Sequence, residues 1–192
     1  MPARNQAALD FLLTRRSRPA KTLAAPAPDR AQMAEILTAA ARSPDHGKLE
    51  PWRFIVLERP ALQRLAAALP AAGARLKIDP EKIAKPVDTY SNAQLAVVVV
   101  NSPTPSEKVP QIEQTYAVGG VCLALLNAAE AAGWGANWLS GWFSHDRTFI
   151  RDELGLADHE TIAGIIHLGT ETSAPPDRPR PDLSAITTWV SA

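Results

Sequence analysis

Three arginines and a hydroxyl, Arg15-Arg16-Ser17-Arg18, occupy four consecutive positions near the start of the chain. Guanidinium groups meet a phosphate through paired N–H donors, so this run suits a phosphate monoester, while as a bare charge run it reads equally as a solvated basic turn. A second cluster follows at Arg42-Ser43-Pro44-Asp45-His46-Gly47-Lys48-Leu49-Glu50-Pro51-Trp52, with Arg42, His46 and Lys48 crowded into one polar loop. Lys plus Arg and Asp plus Glu balance at 20 each, for a formal net charge of zero. No global field therefore draws the chain to nucleic acid or to an acidic membrane, and any bound anion must meet a local cluster such as these.

Several chemistries are excluded by what is missing. Leu139-Ser140-Gly141 lacks the glycine two positions before the serine that a nucleophile elbow needs. Gly133-Trp134-Gly135 is half of a dinucleotide fingerprint, but it follows a helical pattern and has no third glycine. The four histidines, His46, His145, His159 and His167, form no helical i, i+4 pair, so no metal site is expected. Cys122 is the single cysteine and lies in an apolar run, so it reads as a small buried hydrophobe with no disulfide partner. Redox chemistry in this chain would need a bound organic cofactor.

The elements that must position these residues follow from periodicity. Gln6 to Leu13 carries Leu9, Leu12 and Leu13 on one helical face behind Asn5, a plausible cap. A second helix starts near Asp29, uses Met33, Ile36 and Leu37 as its buried stripe, and stops at Ser43-Pro44. Strands are expected at Phe54–Leu57, at the β-branched run Leu95–Val100, at Trp138–Gly141 and at Thr161–Leu168. Helices are expected at Ala61–Leu69, at Gln114–Ala132, apolar nearly all round, and at Arg147–Leu154, closed by Gly155. The stretch between Leu69 and Leu95 carries no clear pattern. Pro175–Pro181 reads as a linker to a strand-like tail, Ile186–Val190. The expectation is one α+β domain over residues 1–192, cytoplasmic, with no apolar leader after Met1 and no membrane-spanning run.

Taken in order, Arg15-Arg16-Ser17, Ala41-Arg42-Ser43-Pro44-Asp45-His46 with Pro51-Trp52, Lys108-Val109-Pro110 with Glu113-Gln114, Trp138-Leu139-Ser140-Gly141 and Leu168-Gly169-Thr170 carry a resemblance. The chain resembles the nitroreductase-like flavoproteins, specifically their small NAD(P)H nitroreductase subgroup, from about residue 9 to 190. The resemblance implies an α+β fold whose central, mostly antiparallel sheet packs around a buried hydrophobic helix. It also implies a homodimer holding FMN at the subunit interface, in which the strand-like Ile186–Val190, beyond its proline-rich linker, could reach across to pair with the partner's sheet edge. By the same resemblance, Arg15, Arg16 and Ser17 would contact the FMN phosphate, ribityl chain and ring edge from one subunit. Arg42 and His46 would reach that flavin from the other, and Trp138, Leu139 and Ser140 would line the ring. Lys48, Arg178 and Arg180 are further candidates for the cofactor. Some members place a nicotinamide contact at the segment matching Ala128, Ala129, Glu130, Ala131, Ala132 and Gly133, which by pattern alone is the end of the buried helix. Two positions depart from the subgroup: Leu139 stands where an arginine is common, and Glu50 where a glutamine precedes Pro-Trp.

The function implied is that of an FMN-dependent oxidoreductase taking hydride from NADH or NADPH and passing it, in turn, to a small electron-poor acceptor such as a nitroaromatic or quinone. No residue is assigned the chemistry outright, since the flavin carries it; His46 is a candidate proton donor. Two alternatives stand beside this reading: an FMN-storing or FMN-sensing module with little turnover, and a flavin-free hydrolase or binding protein.

Overall fold

The computed structural model describes residues 3–191; Met1, Pro2 and Ala192, on which the leaderless reading partly rests, lie outside them. Helix α1, Gln6–Thr14, is capped by Asn5, whose side chain accepts from the Ala8 amide. A two-residue strand β1, Leu23–Ala24, leads to α2, Arg30–Ala40, closed at its start by a reciprocal Asp29–Gln32 capping box. Strand β2, Trp52–Glu58, runs straight into α3, Arg59–Arg75, and then α4, Pro80–Asn92, capped by Asp79. Next come β3, Leu95–Asn101, the long helix α5, Gln111–Ala131, and β4, Gly135–Leu139. The chain finishes with α6, Arg147–Leu154, β5, Thr161–Glu171, and the short α7, Leu183–Ile186.

All pairings in the sheet are antiparallel. β3 lies between β2 and β5, while the far edge of β5 pairs with β4 along residues 165–169 and then with β1 at residues 170 and 171. Both faces of β3 are buried, as its unbroken β-branched run demands. Val98, Val100 and Ile165 face one core with α3, α4 and α6; Val97, Val99, Ile166 and Leu168 face the other with α2 and α5. The sheet is thus the middle layer, and α5 covers one of its faces.

Several expectations change. α4 was not legible, and α3 runs past Leu69 through an internal Pro70. β4 starts at Gly135, three residues before Trp138. The second helix ends at Ala40 in place of Ser43. The tail is no strand in the single chain: α7 takes Ile186, and Trp189 and Val190 stand exposed. α5 is not apolar and buried all round either. Val118, Val121 and Leu125 are sealed against the sheet, whereas Ile112, Tyr116 and Leu123 on the opposite side are 53%, 70% and 47% exposed. α1 contains no buried residue, and its Leu12 and Leu13 are likewise uncovered.

Candidate functional site

The cationic loop after α1 is pinned by the sheet. The Arg18 amide donates to the Ala136 carbonyl (2.8 Å), and the Asn137 side chain donates to the Arg18 carbonyl (2.8 Å). Arg15, Arg16 and Arg18 then line a recess of about 320 Å³ with Glu130, Gly133 and Glu171. Two of the three cations are already matched: Arg15 Nε pairs with Glu130 at 2.7 Å and Arg18 Nε with Glu171 at 2.9 Å. Arg16 donates to the Pro176 carbonyl (3.3 Å), which brings the proline-rich linker over the loop. Ser17 accepts from Arg15 Nη2 (3.0 Å), so its hydroxyl oxygen serves the arginine first. Arg178 and Arg180 ride on that linker; Arg180 faces Asp177 at 3.4 Å, and neither lines the recess.

Along β4 the side chains alternate between the two faces. Leu139, with Ser140 and Gly141, walls a second cavity of about 570 Å³ whose opposite side is α4, including Lys82, Lys85 and Tyr90. Trp138 points the other way and lies over Gly164, where a Cβ would come within 2.1 Å of its indole nitrogen. The structure therefore gathers Leu139 and Ser140, but not Trp138, around one space. Lys82 and Lys85 were missed because the segment that bears them showed no helical signal.

The second cluster is shaped by backbone strain. Gly47 (φ 80°), Lys48 (φ 54°) and Glu50 (φ 47°) all adopt left-handed conformations, which non-glycine residues accept only at a cost of order 1 kcal/mol each. Asp45 Oδ2 offsets that cost by accepting from the Leu49 (2.6 Å) and Glu50 (3.0 Å) amides. His46 Nδ1 meets Glu113 at 2.7 Å, both side chains being exposed. Arg42 and Lys48 are exposed and have no side-chain partner among the described residues.

Within one chain the two clusters do not meet. His46 is tied to Glu113 in the first turn of α5 and Arg15 to Glu130 in its last turn, and at 1.5 Å per residue the seventeen intervening steps span about 25 Å. Residues 128–133 close α5: Ala129 is fully buried, Glu130 is held by Arg15, and Gly133 (φ 85°) turns the chain toward β4. Among the described residues no group of His, Cys, Asp and Glu could hold a metal, and no helix is long and apolar enough to cross a membrane.

The nitroreductase family model matches residues 12–170, from the last turn of α1 almost to the end of β5. The chain belongs to the nitroreductase family. Within it, the chain is 35% identical over 163 residues to the Escherichia coli "Putative NAD(P)H nitroreductase YdjA", covering 85% of this chain and 87% of that protein. It is 36% identical over 164 residues to the Haemophilus influenzae "Putative NAD(P)H nitroreductase", covering 85% and 88%. The fold is that of a nitroreductase-like family protein from Bacillus cereus, with a TM-score of 0.80 at 22% identity and full coverage of both chains. It is also that of a putative nitroreductase solved in complex with FMN from Desulfovibrio desulfuricans, with a TM-score of 0.75 at 19% identity, covering 98% and 99%.

Proposed function

We propose that this chain is an FMN-dependent NAD(P)H oxidoreductase that works as a homodimer and reduces a nitroaromatic, quinone or similar electron-poor acceptor. The observation that carries the reading is the pair of spaces at the two ends of β4. At one end lies an arginine-lined recess; at the other, four residues or about 13 Å along the strand, lies a mostly apolar cavity bordered by lysines. An elongated ligand with a phosphate at one end and a flat, partly polar ring at the other matches that order. The recess donor set fits the phosphate: three guanidinium groups against two carboxylates leave a local excess of one positive charge. FMN supplies the two-electron chemistry when bound, accepting from NADH or NADPH and giving to the acceptor in turn. The chain's own residues bind and orient: Arg16, Arg15 and Arg18 serve the phosphate, main-chain groups at Leu139 and Ser140 serve the ring, and Lys82 and Lys85 offer positive charge at the cavity wall.

The roughly 25 Å between the clusters supports a shared site. If two copies of α5 pack antiparallel through Ile112, Tyr116 and Leu123, the Arg42–His46 loop of one chain comes beside the Arg15 end of the other. Covering these exposed apolar side chains supplies the driving force. The outer edge of β2 is unpaired, and Met33, Leu37 and Val56 border a groove of about 840 Å³ beside it; the partner's exposed Trp189 and Val190 are suited to cover that edge. The test is direct. Protein purified and then denatured is expected to release FMN; release of FAD, or failure of the apoprotein to take up FMN, would sink the reading.

A further inference from the structure

Arg15 has five N–H donors, and three are spoken for within the chain. Nε donates to Glu130 Oε2 at 2.7 Å; the two Nη2 protons go to Ser17 Oγ at 3.0 Å and Glu130 Oε1 at 3.4 Å. Only Nη1 has no partner among the described residues. The Glu130 side chain is 7% exposed and the Arg15 side chain 18%. By charge alone, Glu130 is badly placed: it sits in the last turn of α5, at the negative end of the helix, and it lines the recess of the cationic loop.

We propose that Glu130 is a positioning residue for the cofactor phosphate. By holding the Nε–Nη2 edge of Arg15 it leaves Nη1 as the donor turned over to the ligand, and it stops a long side chain from swinging into solvent. Glu171 likewise holds Arg18, through Nε at 2.9 Å, while Arg18 Nη1 is spent on the Arg16 carbonyl at 2.7 Å. The loop is thus ordered before any phosphate arrives, so the ordering cost does not fall on binding. This rests on the flavin reading above, and it gives the segment 128–133 a task other than contact with nicotinamide.

Charge and geometry make opposite forecasts for Glu130→Ala. Removing a carboxylate beside a dianion strengthens its binding if only charge matters; releasing Arg15 weakens it if position matters. The apoprotein is titrated with FMN and with riboflavin, which lacks the phosphate, by quenching of flavin fluorescence. We expect wild type to prefer FMN, and Glu130→Ala to weaken FMN about tenfold while riboflavin stays within about twofold. Glu130→Gln, which keeps an acceptor for Nε, is expected to stay near wild type. In an Arg15→Ala background, Glu130→Ala is expected to cost nothing more. Tighter FMN binding by Glu130→Ala, equal losses for both flavins, or a Gln variant as weak as the Ala variant would each overturn the proposal. A wild type that binds both flavins equally overturns the phosphate role alone; one that binds neither overturns the flavin reading itself.

Discussion

Glu113 and Glu130 stand at opposite ends of α5, and each holds one side chain of the two clusters: His46 at 2.7 Å for the first, Arg15 at 2.7 Å for the second. One helix thus spaces the two halves of the candidate site by its own length. That spacing is rigid, because the buried side of α5 is sealed into the sheet by Val118, Val121 and Leu125. The two halves can serve one ligand only if a second copy supplies the missing end.

A mixing experiment reads this out. An Arg15→Ala/Arg16→Ala variant and an Arg42→Ala/His46→Ala variant are each expected to hold FMN poorly as homodimers. In a mixed dimer one site collects all four lesions and the other has none. Co-refolding is therefore expected to restore about half of the wild-type flavin content per mixed dimer, on the premise that the site is built from side chains of both chains. Mixed dimers that stay colourless would place each site within one chain.

Tyr116→Asp and Leu123→Asp put charge on the uncovered side of α5. In an isolated chain these exposed positions tolerate change, with stability effects of about 0.5 kcal/mol or less. At a dimer interface, a buried unpaired carboxylate is far more costly. Sedimentation is expected to show folded monomers that have lost FMN. Variants that remain dimeric and yellow would move the interface elsewhere.

On the proposed function, with NAD(P)H and acceptor using one open side of the cofactor in turn, steady-state turnover is expected to give parallel double-reciprocal lines. Intersecting lines would mean that both substrates bind together. No NAD(P)H oxidation by flavin-loaded protein would favour a storage role.

His167 is 2% exposed, and neither ring nitrogen has a partner among the described residues; burial lowers its pKa from 6.5 to about 4. At pH above 6.5 the imidazole is neutral in both folded and unfolded chains and costs nothing by ionisation. As pH falls from 6.5 toward 4, the unfolded chain takes up a proton that the native chain refuses, and about 3 kcal/mol of stability drains away over that window. His167→Leu is expected to leave stability at pH 7.5 close to wild type, since no hydrogen bond is lost. The same variant is expected to be the more stable of the two at pH 4.5. Denaturant melts at both pH values check this; an unchanged gap between the two proteins would contradict it.

Much of the fold could be read from the sequence because the decisive patterns are local. The Leu95–Val100 run needs no partner to announce a doubly buried strand, and Asn5 and Asp29 announce their helices. α4 escaped because Pro86 interrupts it and charged residues dilute its apolar stripe. The clusters around Arg15 and His46 were visible as charge crowding, but Glu130, Glu171 and Glu113 were not visible as their partners. Those pairings join residues far apart in the chain, and no spacing rule reports them. The tail's β-branched and aromatic residues suggested a strand, yet a strand needs an edge to pair with, and within the single chain Trp189 lies exposed and pairs with none.

β1 adds a consequence for how the protein is made. Its two residues, Leu23 and Ala24, pair with Glu171 and Thr170, and Arg18 just before them leans on Ala136 and Glu171. The arginine loop is translated well before Glu130, Ala136 and Glu171, the distant partners that fix it in place. Synthesis runs at about 5–20 residues per second, so a nascent chain spends many seconds with that loop exposed and unanchored. If flavin binds here as proposed, its loading is expected only after translation, and a chain truncated before Glu171 is expected to take up no added FMN.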